Sequence, residues 1–219
     1  MQVNRIVTLF SNLIYPSFCP GCRRFIDDAT PLCSECLAAL TPTVSQDIEI
    51  GRSRSIAIYS VTRYEGVVQR LVRAKNHSQR TAAWQLGELV AQRAPCPWDL
   101  FDGVVPVPLH WTRWWRRGFN QAEIMARAVC MHHALPLFLP LTRTKQTKFQ
   151  AEIGGVAPRL DNVADAFAFV NEQQKLLCSG RSLLLVDDVV TSGATVVALA
   201  RLLYRAGAKR VSVVVSARG

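Results

Sequence analysis

The stretch LLLVDDVVTSGAT, residues 183–195, constrains this chain more tightly than any other. The aliphatic run Leu183 to Val186 shows no polar alternation, so it reads as a strand covered on both faces, as in a parallel sheet flanked by helices. Asp187 and Asp188 then stand at its carboxyl end. Past a small hydroxylic turn, Val196, Leu199, Ala200 and Leu203 fall at i, i+3, i+4 and i+7, the apolar stripe of a helix that Gly207 is placed to end. In open α/β sheets the ligand crevice lies outside the carboxyl ends of the strands, and the first turn of the following helix offers unpaired N–H groups to an anion. Gly193 lets the backbone come close to such an anion, Ala194 keeps the loop slim, and Thr191, Ser192 and Thr195 add hydroxyl donors. Paired carboxylates repel anions but accept hydrogen bonds from a neutral diol, so a phosphorylated ribose suits the whole unit. The plainer alternative is an acidic strand end running into an ordinary helix cap.

That order of residue types resembles the motif with which type I phosphoribosyltransferases bind phosphoribosyl pyrophosphate (PRPP). The resemblance implies that Asp187 and Asp188 hold the ribose hydroxyls, and that Thr191, Ser192, Gly193, Ala194 and Thr195 surround the 5′-phosphate.

At 219 residues the chain can bury one sizeable core with a small appendage. Its 26 Lys and Arg against 16 Asp and Glu leave a formal charge of +10, concentrated at Arg70 to Lys75, Arg113 to Arg117, Arg143 to Lys148 and Arg201 to Arg210. Polyanions are the expected partners, and charge alone does not separate a sugar phosphate from nucleic acid. No uncharged apolar run reaches the length of a membrane span, and the amphipathic start VNRIVTLFSNLIYPSF lacks a small-residue cleavage pattern. The expectation is a cytoplasmic protein without membrane insertion.

Four of the seven cysteines form two Cys-x-x-Cys pairs, Cys19 with Cys22 and Cys33 with Cys36, a spacing that suits a structural zinc ion held by four thiolates. Two disulfides are the alternative, and they fit a cytosolic chain poorly. Cys96, Cys130 and Cys178 are scattered and read as small hydrophobes. The polar stretch 40–55 reads as a linker, which divides the chain into an N-terminal helix and zinc knuckle at 1–45 and a main domain at 46–219.

Within the main domain, strands are expected near 56–60, 103–107, 137–141, 183–187 and 211–215, with a helix carrying Tyr64, Val67, Val68, Leu71 and Val72 on one stripe. Lys75 falls near the end of that helix, where it either complements the dipole or reaches a pyrophosphate. Prolines at 106 and 108 stop the second strand. In the phosphoribosyltransferase pattern such a strand opens the pyrophosphate loop, here Val107, Pro108, Leu109 and His110, with Leu109 and His110 where many members carry Arg or Lys.

The segment HWTRWWRRGFNQAE interleaves Trp111, Trp114 and Trp115 with Arg113, Arg116 and Arg117, a mixture that either stacks bases or packs one aromatic face inside. Arg117, Asn120 and Gln121 are the better contact candidates, because Gly118 permits a turn there and a helix with Ala122, Met125, Ala126 and Val129 inward begins immediately after. Taken with the four-cysteine knuckle, the VPVPL and RRGFNQ motifs resemble the ComF family of competence-type phosphoribosyltransferases, and the likeness extends through Arg143, Thr147, Gln150, Arg159, Asn162 and Phe167. It implies a type I phosphoribosyltransferase fold, a parallel flavodoxin-like sheet flanked by helices with a small zinc-binding subdomain. It also implies PRPP with Mg2+ as ligand, and a role in natural transformation and DNA uptake. Residues 142–158 read as a mobile basic loop, with Arg143, Lys145 and Gln150 as catalytic candidates that exclude water and neutralise departing pyrophosphate. Two further readings stay open: a single-stranded DNA-binding accessory that uses the fold to sense a ligand, and a knuckle that recruits other proteins of the competence machinery.

Overall fold

The computed structural model describes residues 18–26, 31–43, 45–51, 54–73, 79–109, 118–144 and 166–219. In chain order its elements are α1 (Ser34–Ala38), β1 (Gln46–Gly51), β2 (Arg54–Arg63), α2 (Gly66–Arg73), α3 (Gln79–Arg93), β3 (Gly103–Pro106), α4 (Gln121–His133), β4 (Leu141–Arg143), β5 (Phe167–Phe169), α5 (Glu172–Leu176), β6 (Ser182–Val190), α6 (Ala194–Arg205) and β7 (Arg210–Arg218). The main sheet runs β1-β2-β7-β6-β3. Strands β2, β7, β6 and β3 are parallel and β1 folds back antiparallel on β2.

The aliphatic character of β6 follows from its position. Leu183 and Leu185 enter one core with Val211, Val213, Leu199 and Leu203, beneath α6, whereas Leu184 and Val186 enter a second core with Val214, Leu86, Leu89 and Met125, beneath α3 and α4. A strand that feeds both layers has no face left for polar residues. The expected inner stripes of α2, α4 and α6 are likewise in place: Val67, Val68 and Leu71 are buried, as are Ala122, Met125, Ala126 and Val129, and Val196, Leu199, Ala200 and Leu203. Helices α3 and α4 cross closely because Gly87 has no side chain; a Cβ there would lie 2.8 Å from the Met125 backbone.

Three expectations change. The stretch 40–55 is no linker: β1 occupies 46–51, Pro42 bridges Thr62, and Thr62 Oγ1 donates to the Thr41 carbonyl at 2.8 Å. The strand expected at 137–141 contracts to one parallel bridge between Val104 and Leu137, because Pro136 and Pro140 bracket it and prolines cannot extend a ladder. Leu141 to Arg143 instead form β4, which pairs antiparallel with β5, so Thr142 and Arg143 belong to a strand; 145–158 lie outside the described residues. The knuckle is continuous with the second core, where Cys19, Ile26 and Leu32 are buried with Val67, Val68 and Leu71. Among the described residues, no helix is long and apolar enough to cross a membrane.

Candidate functional site at the carboxyl ends of the strands

Strand β6 delivers the acidic pair and hands the chain to α6 through Thr191, Ser192 and Gly193. Thr191 and Ser192 are exposed, Thr195 is half-buried and Ala194 is buried. Gly193 occupies the N-cap position at φ 75°, the left-handed region, where a side chain is strained, and a Cβ there would lie 2.6 Å from Ile48 Cδ1 of β1. The glycine thus serves turn geometry and a tight contact with β1 as well as slimness. It brings no side chain to cap the helix, in contrast to Asn120 at α4 and Asn171 at α5, each of which accepts from an amide of its own first turn. The first amides of α6 therefore stand open at the positive end of the helix dipole.

Asp187 and Asp188 sit inside β6 rather than beyond it, since the strand continues to Val190. Asp187 Oδ1 accepts from the Asp188 amide at 2.9 Å, Asp188 Oδ1 accepts from the Val189 amide at 2.7 Å, and the Ser216 hydroxyl of β7 donates to the Asp188 carbonyl. Although Asp187 keeps some residue-level exposure, its carboxyl group is densely surrounded. Burial first, and the neighbouring Asp188 second, push it well above the ordinary carboxylate value, with Arg143 and the Asp188 amide acting in the opposite direction. Arg143, in β4, lies over the Phe167 ring at 5.3 Å and close enough to Asp187 to act on it. Ser216 was not anticipated; a buried serine in the aliphatic run of β7 is the signal that marks it.

The loop after β3 leaves beside the acids. Pro106 registers with Val186, and the Val107 amide donates to the Val186 carbonyl at 2.9 Å. Asn120 ties this loop to α4: its Nδ2 donates to the Val107 carbonyl at 3.0 Å while its Oδ1 accepts from the Ala122 amide at 3.1 Å. Its amide is thereby committed on both sides, so it holds the loop rather than reaching outward. Gly118, at φ 75°, supplies the expected turn, and Gln121 opens α4. Pro108 and Leu109 are half-buried beside it. Lys75, His110, Trp111, Trp114, Trp115, Arg117, Lys145 and Gln150 lie outside the described residues.

Away from this edge, the Sγ atoms of Cys19, Cys22, Cys33 and Cys36 all lie within 4.8 Å of one another. The Cys22 to Cys33 separation of 3.6 Å excludes a disulfide between them, which needs about 2.05 Å. It matches the sulfur–sulfur edge of roughly 3.8 Å that a tetrahedral ion with bonds of about 2.3 Å demands. The donor set therefore fits zinc. Burial works to raise the Cys19 thiol, but amides of Cys33, Cys22 and Gly21 outweigh it and bring it down to about 6, while burial pushes Cys36 up. Gly21 has to be small: a Cβ there would lie 2.7 Å from Cys36 Sγ and 2.9 Å from Val67 Cγ2. Beside the knuckle a cavity of about 360 Å³ opens between Phe18, Pro20, Arg23, Arg70, Thr81 and Gln85. Burial raises the remaining thiols, Cys96 to about 12 and Cys130 to about 11, in keeping with small hydrophobes.

A family model described as the phosphoribosyl transferase domain matches residues 116–219, the stretch that holds β6 with its acid pair, α6 and β7. The DNA utilization protein YhgH of Salmonella typhimurium is 30% identical over 209 residues, covering 89% of this chain and 87% of that protein. Its Escherichia coli K12 counterpart is 36% identical over 127 residues, and Competence protein F of Haemophilus influenzae is 31% identical over 113; these alignments span 53% and 48% of those proteins, about half. The chain belongs to the ComF family of phosphoribosyltransferase-like proteins. Among solved structures, the allosteric regulatory enzyme of purine biosynthesis matches 68% of this chain and 30% of its own at 19% identity and a TM-score of 0.46. The glutamine PRPP amidotransferase of B. subtilis matches 76% and 34% at 17% identity and the same TM-score.

Proposed function

We propose that the protein binds PRPP across the carboxyl ends of β3, β6 and β7 and transfers its phosphoribosyl group during the handling of imported DNA in the cytoplasm. The observation that carries this reading is the junction itself: a glycine-capped helix start with no side-chain cap stands one short turn beyond two adjacent acids on the neighbouring strand end. In this reading the α6 amides with Thr191, Ser192 and Thr195 fix the 5′-phosphate. Asp187 and Asp188 each accept from a ribose hydroxyl. The Val107 to Leu109 loop, anchored by Asn120, borders the pyrophosphate with His110 and Lys75, and Arg143, Lys145 and Gln150 exclude water as the leaving group departs. Mg2+ bound with PRPP would neutralise charge on the pyrophosphate oxygens. The PRPP domain occupies 46–219 and the knuckle 1–45.

Calorimetric titration of the full chain with PRPP, with and without Mg2+, tests this. Saturable binding that Asp188→Asn weakens supports the assignment; absence of PRPP binding by the native chain rejects it.

A second reading has its own observation. Phe18 and Phe25 are more than half exposed, their rings meet edge-on at 6.4 Å, and Phe18 lines the cavity together with Arg23 and Arg70. Exposed aromatics among guanidinium groups grip single-stranded DNA by stacking and phosphate contact. Binding that falls steeply with salt and that Phe18→Ala with Phe25→Ala removes supports this reading; salt-insensitive binding counts against it.

A further inference from the structure

We infer that Arg218, at the carboxyl end of β7, forms part of the 5′-phosphate seat and donates to the anion held by the first amides of α6; this rests on the PRPP reading above.

The sheet register places the side chain. Residues paired across neighbouring strands share a face. Leu185 with Val213 falls in the core beneath α6, and Val186 with Val214, like Val189 with Ala217, falls in the opposite one. Arg218 pairs with Val190, which belongs to the core beneath α6 together with Ala194 and Val197. The Arg218 side chain thus starts out on the α6 side of the sheet, in the column next to the residue that leads into Thr191.

Backbone contacts hold this corner firmly. The Gly219 amide donates to the Val190 carbonyl at 3.0 Å, and the Arg218 carbonyl accepts from the Tyr64 amide at 2.8 Å. Gly219 lies against the loop, so that a Cβ on it would sit 3.2 Å from Thr191 Cγ2. On its other side Arg218 registers with Arg63, a second arginine on the same face, exposed at the rim.

The guanidinium calls for a counter-charge. Its Nη1 is shut off from solvent and has no hydrogen-bond partner among the described residues. The described ion pairs are Arg24–Glu35, Arg127–Glu123 and Lys175–Glu172, and the cation that acts on Asp187 is Arg143. Two arginines and the positive end of α6 gather at one corner of the sheet, and an anion between them satisfies all three. A phosphate also matches the planar fork of donors that arginine presents.

The test uses calorimetry on the full chain with PRPP, ribose 5-phosphate and inorganic pyrophosphate as probes, with thermal melts confirming that each variant is folded. Arg218→Gln is expected to weaken both ribose phosphates by about 10- to 100-fold, as loss of charge-assisted hydrogen bonds does, and to leave pyrophosphate affinity unchanged. Arg218→Lys, which keeps charge and length without the fork, is expected to recover part of the loss and covers the case in which the glutamine variant does not fold. Native affinity for ribose 5-phosphate in either folded variant overturns the inference while the PRPP reading survives. A native chain that binds neither PRPP nor ribose 5-phosphate overturns both, and an equal loss for pyrophosphate overturns the assignment of Arg218 to the 5′-phosphate.

Discussion

The cysteine cluster and the acid pair both crowd groups of like charge, and in both the backbone amides favour the charged form; what differs is whether they outweigh burial. Amides around Cys19 draw its thiol down to about 6, while burial pushes Cys36 up, so within one cluster the balance falls both ways. At Asp187 burial and Asp188 win over the amide and Arg143, so that corner resists a full negative charge. The knuckle's four sulfurs fit a cation, and in the proposed reading the acid pair faces neutral hydroxyls. Like-charge crowding alone does not say what a site binds; donor geometry separates the two, four sulfurs within 4.8 Å of one another against two carboxyls inside a strand.

Metal removal gives the largest expected effect. The four thiols sit in the core shared with α2, so stripping zinc leaves them packed against one another without a cation and loosens Leu32, Val67 and Leu71 as well. A loss of about 4 kcal/mol lowers the Tm of a chain this size by roughly 8–16 °C, and Cys19→Ser should match it. Co2+ in place of zinc should show thiolate charge-transfer absorption. Melting that is indifferent to chelator, with no such absorption, breaks the comparison at its knuckle end.

Next in size is Gly193→Ala. It combines a left-handed φ with a Cβ 2.6 Å from Ile48 Cδ1, so about 2 kcal/mol, or roughly 4–8 °C, should be lost along with PRPP affinity. An equally large change in the melt with affinity retained would detach the loop from the ligand.

Asp187→Asn sharpens the other end of the comparison, and its sign is opposite. For an acid whose folded value is raised, stability is greatest below the ordinary carboxylate value of about 3.9 and falls as pH climbs from there through the raised value. Replacing the carboxyl by an amide removes that loss, so the variant should melt higher at pH 7 and lose the pH slope while binding PRPP more weakly. A variant that melts lower at pH 7 but like the native chain at acid pH shows that Asp187 is stabilising in its charged form.

How much of this was legible depended on whether the cause was local. The Cys-x-x-Cys pairs and the run Leu183 to Val186 announce themselves, because ligand spacing and two-sided burial leave marks within a few residues. The strand β1 did not, since Gln46, Asp47 and Glu49 point outward and only pairing with β2 makes the segment a strand. Residues 137–141 carry an apolar pattern, but Pro136 and Pro140 limit what that pattern can pair. The continuation of β6 past the acids depends on β7, whose Ala217 and Arg218 pair with Val189 and Val190. For Asn120 the motif was visible and the task was not: its two hydrogen bonds reach a strand end thirteen residues earlier as well as its own helix.

That double commitment allows the smallest effect to be the most discriminating. Asn120→Ala removes both bonds, uncapping α4 for about 1 kcal/mol and freeing the Val107 carbonyl. Asn120→Asp keeps an oxygen that accepts from the Ala122 amide and a negative charge at a helix N-terminus, so α4 stays capped, but it has no donor for Val107 and sets a carboxylate against that carbonyl. If Asn120 matters only as a cap, the aspartate variant melts and binds PRPP like the native chain while the alanine variant loses both. If it positions the loop beside Asp187, the aspartate variant keeps its melting temperature and still binds PRPP several-fold more weakly, with pyrophosphate affinity falling in step and ribose 5-phosphate affinity unchanged. The second pattern is the expected one, because the Val107 amide already bonds to β6 and its carbonyl is the remaining tether that fixes where the loop goes.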